Sequence, residues 1–280
     1  MLVFIVPIKS SQISTNWEVF SILVERTMKS ISQQTSQNFK IVAVCHEIPV
    51  MKFQHPSLEY IQVDFLPPTD ANIAAADTED NPDPLNYRNG AKEADKAKKI
   101  MKGVEYSKKY NPSYIMVVDA DDCINKNLVK FVEDNPSENA GWYFKKGYIY
   151  NEGSNLIFLN KNTFNELCGT CIIIKADQVG NLLETEPRAL FNHDFVDLAN
   201  GNKLLPLPFP GAIYSLGNTE NYCSTPEAVK KMNSYSIFKK GFFENIVRKA
   251  TKYRVKLVNE NFRSKFGLTK LDFSSVFENN

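Results

Sequence analysis

The stretch Tyr114-Ile-Met-Val-Val-Asp-Ala-Asp-Asp122 decides the reading of this chain. Its five leading apolar residues predict a strand buried on both faces, the kind found inside a parallel sheet. The strand then ends in three carboxylates. Side chains two apart on a strand point the same way, so Asp119 and Asp121 share a face and Asp122 points elsewhere. Two carboxylates on one face, with open space ahead, make a site for a hard divalent cation that prefers oxygen ligands. The same residues also serve as turn or helix-cap residues. Position favours the metal: the motif follows the most apolar strand of a strand–helix series.

Upstream, Leu2–Val6 is an apolar run closed by Pro7, and Phe39–Cys45 and Leu58–Val63 are two more expected strands. Trp17–Gln34 carries apolar residues at helical spacing, as does the Lys-rich Ala91–Tyr110. Residues 66–90, with Pro67, Pro68, Pro82, Pro84 and Gly90, are expected to form a long loop. Strands alternating with helices predict an α/β fold, Rossmann-like, with a mostly parallel central sheet and helices on both faces. Ligands of such sheets bind beyond the carboxyl ends of the strands. Pro7–Lys9, Cys45–Glu47 and Asp119–Asp122 all lie at such ends and are expected to converge on one crevice.

Downstream, Trp142–Tyr150, Leu156–Leu159 and Cys171–Lys175 read as strands, Phe195–Asn200 as a short helix and Leu204–Pro210 as extended chain. The expected division is one domain over 1–224, with halves 1–123 and 124–224, followed by a basic helical extension over 225–280.

Charge supports that last boundary. The net charge is +1, which argues against a nucleic-acid partner. Yet residues 1–224 carry 21 Lys and Arg against 27 Asp and Glu, and residues 225–280 carry 12 against 5. The segment 236–258 interleaves Phe238, Phe242, Phe243, Ile246 and Val247 with Lys239, Lys240, Arg248, Lys249 and Lys252. It reads as a basic amphipathic helix, fitted to an anionic membrane surface, to packing on the domain, or to a polyanionic glycan. Five cysteines, an odd number at low density, fit a reducing compartment. The apolar start is too short for a signal peptide or membrane span. A cytoplasmic protein is expected, with residence on the inner face of a membrane as a variant.

Four pieces in order resemble the family 2-like glycosyltransferases of the GT-A fold. They are Phe4-Ile-Val-Pro7, Arg26-Thr-Met-Lys-Ser-Ile-Ser-Gln-Gln-Thr35, Lys40-Ile-Val-Ala-Val44 and Ile115-Met-Val-Val-Asp-Ala-Asp-Asp122. Together they span about 120 residues; the second half matches loosely. The resemblance implies a nucleotide-diphosphate sugar donor, a UDP-sugar by expectation, a divalent metal (Mn2+ or Mg2+), and transfer to a hydroxyl of a glycan or lipid-linked acceptor. It places Asp119 and Ala120 near the donor ribose or sugar, Asp121 on the metal with Asp119 beside it, and Pro7 and Ile8 along the nucleotide pocket. Glu47 would hold the base. Arg88 and Lys92 either contact the diphosphate as cations or are surface charges. An inverting transfer needs a base for the acceptor proton, and Asp194 in Asn192-His-Asp-Phe-Val-Asp197 takes that place, with His193 as runner-up and a helix cap as the other role.

The family often supplies a metal-binding His from a loop near residue 215. This chain has histidines only at 46, 55 and 193, so water, diphosphate or Asn218 is left for that place. Cys168-Gly-Thr-Cys171 has no second ligand pair for zinc and precedes a strand, so reduced structural cysteines are expected. Gly169 and Thr170 are placed in a loop facing the donor sugar. A phosphatase built on the same Asp pair fits poorly, because the motif lies on a late strand and Cys123 follows it. The remaining alternative is a non-catalytic nucleotide-sugar or glycan-binding module, or an inactive partner of another transferase.

Overall fold

The computed structural model describes residues 1–76, 84–136, 138–185, 196–218, 220 and 253–271. Its larger sheet has seven strands. In chain order these are β1 (Leu2–Pro7), β2 (Phe39–Cys45), β3 (Leu58–Gln62), β4 (Tyr114–Val117), β6 (Gly141–Tyr143), β9 (Ile172–Lys175) and β10 (Leu204–Pro206). Their spatial order is β10-β6-β9-β4-β1-β2-β3. β1 pairs in parallel with β2 and β4, β2 with β3, and β10 with β6; β9 alone runs against its neighbours β4 and β6. The expected mostly parallel α/β sheet is therefore present. Every residue of β1 is buried, as a continuous apolar strand covered on both faces must be.

Helix α1 (Trp17–Ser32) connects β1 to β2, and α3 (Pro84–Ser107) connects β3 to β4. The chain thus steps from β1 to β2 to β3 and returns to β4 on the other side of β1. Right-handed crossovers in opposite directions put their helices on opposite faces. The reversal makes the gap between the carboxyl ends of β1 and β4 a topological switch point, where open α/β sheets bind ligands. Asn16 caps α1 by accepting the Val19 amide at 3.0 Å, and Glu18 in the first turn suits the helix dipole. α3 presses on the sheet closely: a Cβ at Gly103 would lie 3.2 Å from the Val44 side chain.

Several expectations are corrected. The loop expected over 66–90 contains helix α2 (Asp70–Ala76) and the first turns of α3. Thr69 caps α2 by accepting the Asn72 amide at 3.2 Å, and Pro84 suits a first helical position because it needs no amide partner there. The single strand expected over 142–150 is two strands in different sheets, β6 and β7 (Gly147–Asn151). Between them the Phe144 amide donates to Cys171 O at 2.7 Å while Lys145 O accepts from the Phe164 amide, so the backbone leaves one ladder before joining the next. The helix expected over 195–200 is a turn from 196 on: Asp197 bridges Lys203, and Gly201 at φ +82° closes it.

The second sheet, ordered β12-β8-β7-β11-β5, comprises β5 (Cys123–Ile124), β7, β8 (Leu156–Asn160), β11 (Ala212–Leu216) and β12 (Tyr253–Leu257). The amphipathic helix read over 236–258 is corrected for its end: 253–257 is strand β12, antiparallel to β8, while 236–252 lies outside the described residues. Three more short α-helices are α4 (Leu128–Asp134), α5 (Val179–Thr185) and α6 (Glu260–Phe266), and four single-turn 3-10 helices lie at 11–13, 108–110, 164–166 and 176–178. Phe266 and Leu268 are buried with Tyr148, Tyr150, Ile157 and Ile213 in a second small core. Gly267, at φ +61°, ends α6 against α1, where a Cβ would approach Ser30 Cα to 2.7 Å.

Candidate functional site

Three carboxylates leave β4 in three different settings. The Asp119 carboxylate is ion-paired with Lys96 of α3 through Oδ1, and its backbone amide donates to Thr170 Oγ1 at 2.9 Å. Asp121 Oδ2 accepts from Asn218 Nδ2 at 3.0 Å. Asp122 is fully buried, accepting from Thr170 Oγ1 at 2.6 Å, Cys168 Sγ at 3.2 Å and the Ser215 amide at 3.1 Å. Residues 119–122 themselves form a turn beyond β4, with the Asp122 amide donating to Asp119 O at 3.1 Å. Asp122 turns inward and ties the motif to the 168–171 loop and to β11, leaving Asp119 and Asp121 at the strand end.

Burial holds the Asp122 carboxyl well above its ordinary range, and the neighbouring Asp121 and Asp119 charges add to this. Burial and the Asp119 charge also raise Asp121, against lowering by the Asn218 hydrogen bond and the Arg26 and Lys9 charges. The Lys96 ammonium shows the converse: burial would lower it, but Asp119, Asp122 and Asp121 together raise it. The strand end is thus a concentration of negative charge that favours cations.

The supporting shell is cationic. Arg26, 1% exposed in its side chain, donates to Glu152 at 2.8 Å, to the Asp121 carbonyl at 3.2 Å and to Ser215 Oγ at 3.2 Å. Thr27 Oγ1 donates to the Asp122 carbonyl at 2.8 Å. Gln34 donates to the Asn125 carbonyl at 3.1 Å and accepts the Val129 amide at 3.0 Å, and the Thr35 amide donates to Lys126 O at 2.8 Å. The segment Arg26–Thr35 is therefore a clamp on the backbone that carries and follows Asp121 and Asp122.

At the end of β1, Pro7 and Ile8 are buried, and the Ile8 carbonyl accepts from Lys99 Nζ at 2.8 Å. Lys99 also bonds Asp95 at 2.7 Å. Lys9 pairs with the Glu220 carboxylate, which in turn accepts the Asn16 amide at 2.7 Å. At the end of β2, Glu47 accepts from Ser10 Oγ at 3.0 Å and from the Ser11 amide. The ends of β1, β2 and β4 thus lie side by side in parallel register, as the sequence predicted.

Asn218, the residue offered in place of a metal-binding His, does lie beside Asp121. Its carbonyl oxygen accepts the Glu220 amide at 3.0 Å, so its NH2 group faces the carboxylate and its oxygen does not. Among the described residues no group of three or more His, Cys, Asp or Glu side chains is arranged to hold a metal. The hard oxygens of Asp119 and Asp121 fit a divalent cation that draws its other ligands from elsewhere. Ala120 is buried between them. Lys92 is exposed on α3. The Arg88 side chain and residues His193 and Asp194 lie outside the described residues.

No protein-family model matches the chain, and no curated protein matches it either. Among solved structures, S. aureus TarS 1-349 in complex with UDP is similar at TM-score 0.37 and 14% identity, over 82% of this chain and 62% of that one. S. aureus TarS 1-349 is similar at TM-score 0.37 and 13% identity, over 76% and 60%. The bifunctional IspDF from Campylobacter jejuni follows at TM-score 0.32 and 15% identity, over 82% and 53%. The chain spans less than two thirds of the length of each of these structures.

Sequence reasoning missed Lys96 and Arg26 as parts of this site. Lys96 sits among five lysines between 92 and 102, and nothing in that run distinguishes the one that faces Asp119. Arg26 carried a signal, a charged residue on the face of an amphipathic helix that also holds Leu23, Val24, Thr27 and Met28. Such a residue must find a buried partner.

Proposed function

We propose that this chain is a glycosyltransferase that moves a sugar from a nucleotide-diphosphate sugar, a UDP-sugar by expectation, to an acceptor hydroxyl with inversion. The observation that carries the reading is the Asp119–Asp121 pair at the β1/β4 switch point, ringed by Lys96, Lys9 and Arg26. Asp121 and Asp119 would hold a divalent ion, Mn2+ or Mg2+, which when bound neutralises charge on the leaving diphosphate. Pro7, Ile8 and Ala120 would line the nucleotide pocket, with Glu47 toward the base and Arg88 and Lys92 as further diphosphate cations. Asp194 would take the acceptor proton. The acceptor is a glycan or a lipid-linked glycan, and the basic stretch 236–258 would bring the protein to an anionic membrane surface. Among the described residues no helix is long and apolar enough to cross a membrane.

The test is thermal stabilisation by UDP with and without Mn2+. Metal-dependent stabilisation that disappears in Asp121→Ala is the expected result. A second reading, a nucleotide-sugar-binding module without catalysis, draws on the two-carboxylate donor set. It predicts UDP binding without sugar transfer or donor hydrolysis. No response to any nucleoside diphosphate would overturn both readings.

A further inference from the structure

Two lysines one turn apart on α3 are used differently. Lys99 is 1% exposed and fixed between Asp95 Oδ2 and the Ile8 carbonyl, a structural pairing with no slack. Lys96 meets Asp119 Oδ1 beyond the end of β4, where the side chains keep 29% and 23% of their exposure, so solvent reaches the pair. The packing leaves room for it. A Cβ at Gly169 would sit 3.0 Å from Asp119 Oδ2 and 3.4 Å from Lys96 Nζ, so the glycine at this spot admits both groups.

We infer that Lys96 is the resident counter-cation of the Asp119–Asp121 pair, exchanged for the divalent ion when the donor binds and then received by the donor's diphosphate. This rests on the proposed glycosyltransferase site. A metal ion taking Asp119 oxygens meets an ammonium already on Oδ1, and two cations on one carboxylate repel. An ammonium on a flexible four-carbon stem can swing away, and needs an anion to meet when it does. The diphosphate supplies one beside the metal. Metal alone must therefore displace Lys96 unaided, whereas metal with nucleotide gives it a new partner. Metal and nucleotide binding are thereby coupled, and the coupling is reciprocal.

The experiment is calorimetric titration of the full chain with Mn2+, in the absence and presence of UDP, for the wild type, Lys96→Met, Lys96→Gln and Lys96→Arg. In the wild type, UDP is expected to tighten Mn2+ binding by about tenfold or more, within the usual range of coupling between sites. Lys96→Met and Lys96→Gln are expected to bind Mn2+ alone several-fold more tightly than wild type and UDP alone more weakly, so the coupling shrinks. Lys96→Arg is expected to keep it. A folded Lys96→Met or Lys96→Gln that binds Mn2+ no more tightly than wild type overturns the inference while leaving the proposed function standing. Wild-type protein that binds neither UDP nor Mn2+ overturns both. A merely structural lysine predicts the opposite sign, since its loss would loosen the site and weaken metal binding.

Discussion

Two strand ends on the same edge of the sheet carry acidic residues, and the molecule treats them oppositely. After β2, Glu47 is met by Ser10 Oγ and the Ser11 amide. Burial works to raise its carboxyl, but the hydrogen bonds from Ser11 and Ser10 and the nearby His46 bring it below the ordinary carboxylate range. After β4, Asp121 is raised by burial and by the Asp119 charge, and Asn218, Arg26 and Lys9 do not offset this. A carboxylate already answered by protein donors gains little from an arriving cation. One that is desolvated beside a like charge gains from any cation that arrives. The contrast separates a carboxylate that the protein already holds in place from one suited to draw in a cation, which is the division of roles proposed for Glu47 and Asp121.

The contrast can be broken most severely through its support. Arg26→Met leaves Glu152 without its buried partner and frees the Asp121 backbone. Removing one member of a buried pair costs about 3–5 kcal/mol, so urea denaturation is expected to show a loss of that order, with UDP and metal binding lost alongside. A variant of wild-type stability would mean that the clamp does not carry the motif.

Asp121→Asn comes next and separates stability from binding. Replacing a crowded carboxylate by an amide is expected to leave the melting temperature of the ligand-free protein unchanged or higher. Stabilisation by UDP with Mn2+ is expected to fall by about 100-fold or more in apparent affinity, the loss of a charged ligand exceeding the 10–100-fold typical of outer-shell changes. Glu47→Gln should retain that response within a few-fold, and a loss as deep as that of Asp121→Asn would erase the distinction. Gly169→Ala is expected to be milder. Its methyl group meets the Asp119 carboxylate at 3.0 Å and disturbs the pair with Lys96. Weakening of Mn2+–UDP binding by about three- to tenfold, or roughly 1 kcal/mol, is expected with little change in stability.

The order of β1, α1, β2 and β4 was legible because each is an apolar run or a clean helical period, and β3, Leu58-Glu-Tyr-Ile-Gln62, because it is rich in strand-forming residues. The acidic motif was legible as the end of such a run, but a period of two does not sort its carboxylates: residues 119–122 form a turn, and Asp122 is set apart by its contacts with Thr170, Cys168 and the Ser215 amide. What stayed hidden depends on contacts distant in sequence. Phe144–Lys146 carry no turn residue, yet the chain changes sheets there because Cys171 and Phe164 supply new partners. Arg254-Val-Lys-Leu257 reads as the end of a basic helix, but its alternation is equally that of a strand, and β8 is there to pair with it. Lys96 was lost in a run of lysines because charge type says nothing of direction.

The smallest expected effect is also the one that tests the contrast itself, because the two carboxylates give stability opposite dependences on pH. Glu47 is lower in the folded chain than unfolded, so its contribution is present above the unfolded value and is lost as pH falls through the folded one. Asp121 is raised on folding, so the favourable balance is present below the unfolded value and is lost as pH rises through the folded one. Subtracting the wild-type stability from that of Glu47→Gln should then give a curve that falls as pH rises through the carboxylate range. The same subtraction for Asp121→Asn should give a curve that rises. Glu47 retains solvent access, so screening keeps its contribution under about 1 kcal/mol, and denaturation curves at several pH values are needed to resolve it. Two curves of the same slope would show that both strand ends are held alike, and the proposal that the β4 end binds the cation would lose its electrostatic support.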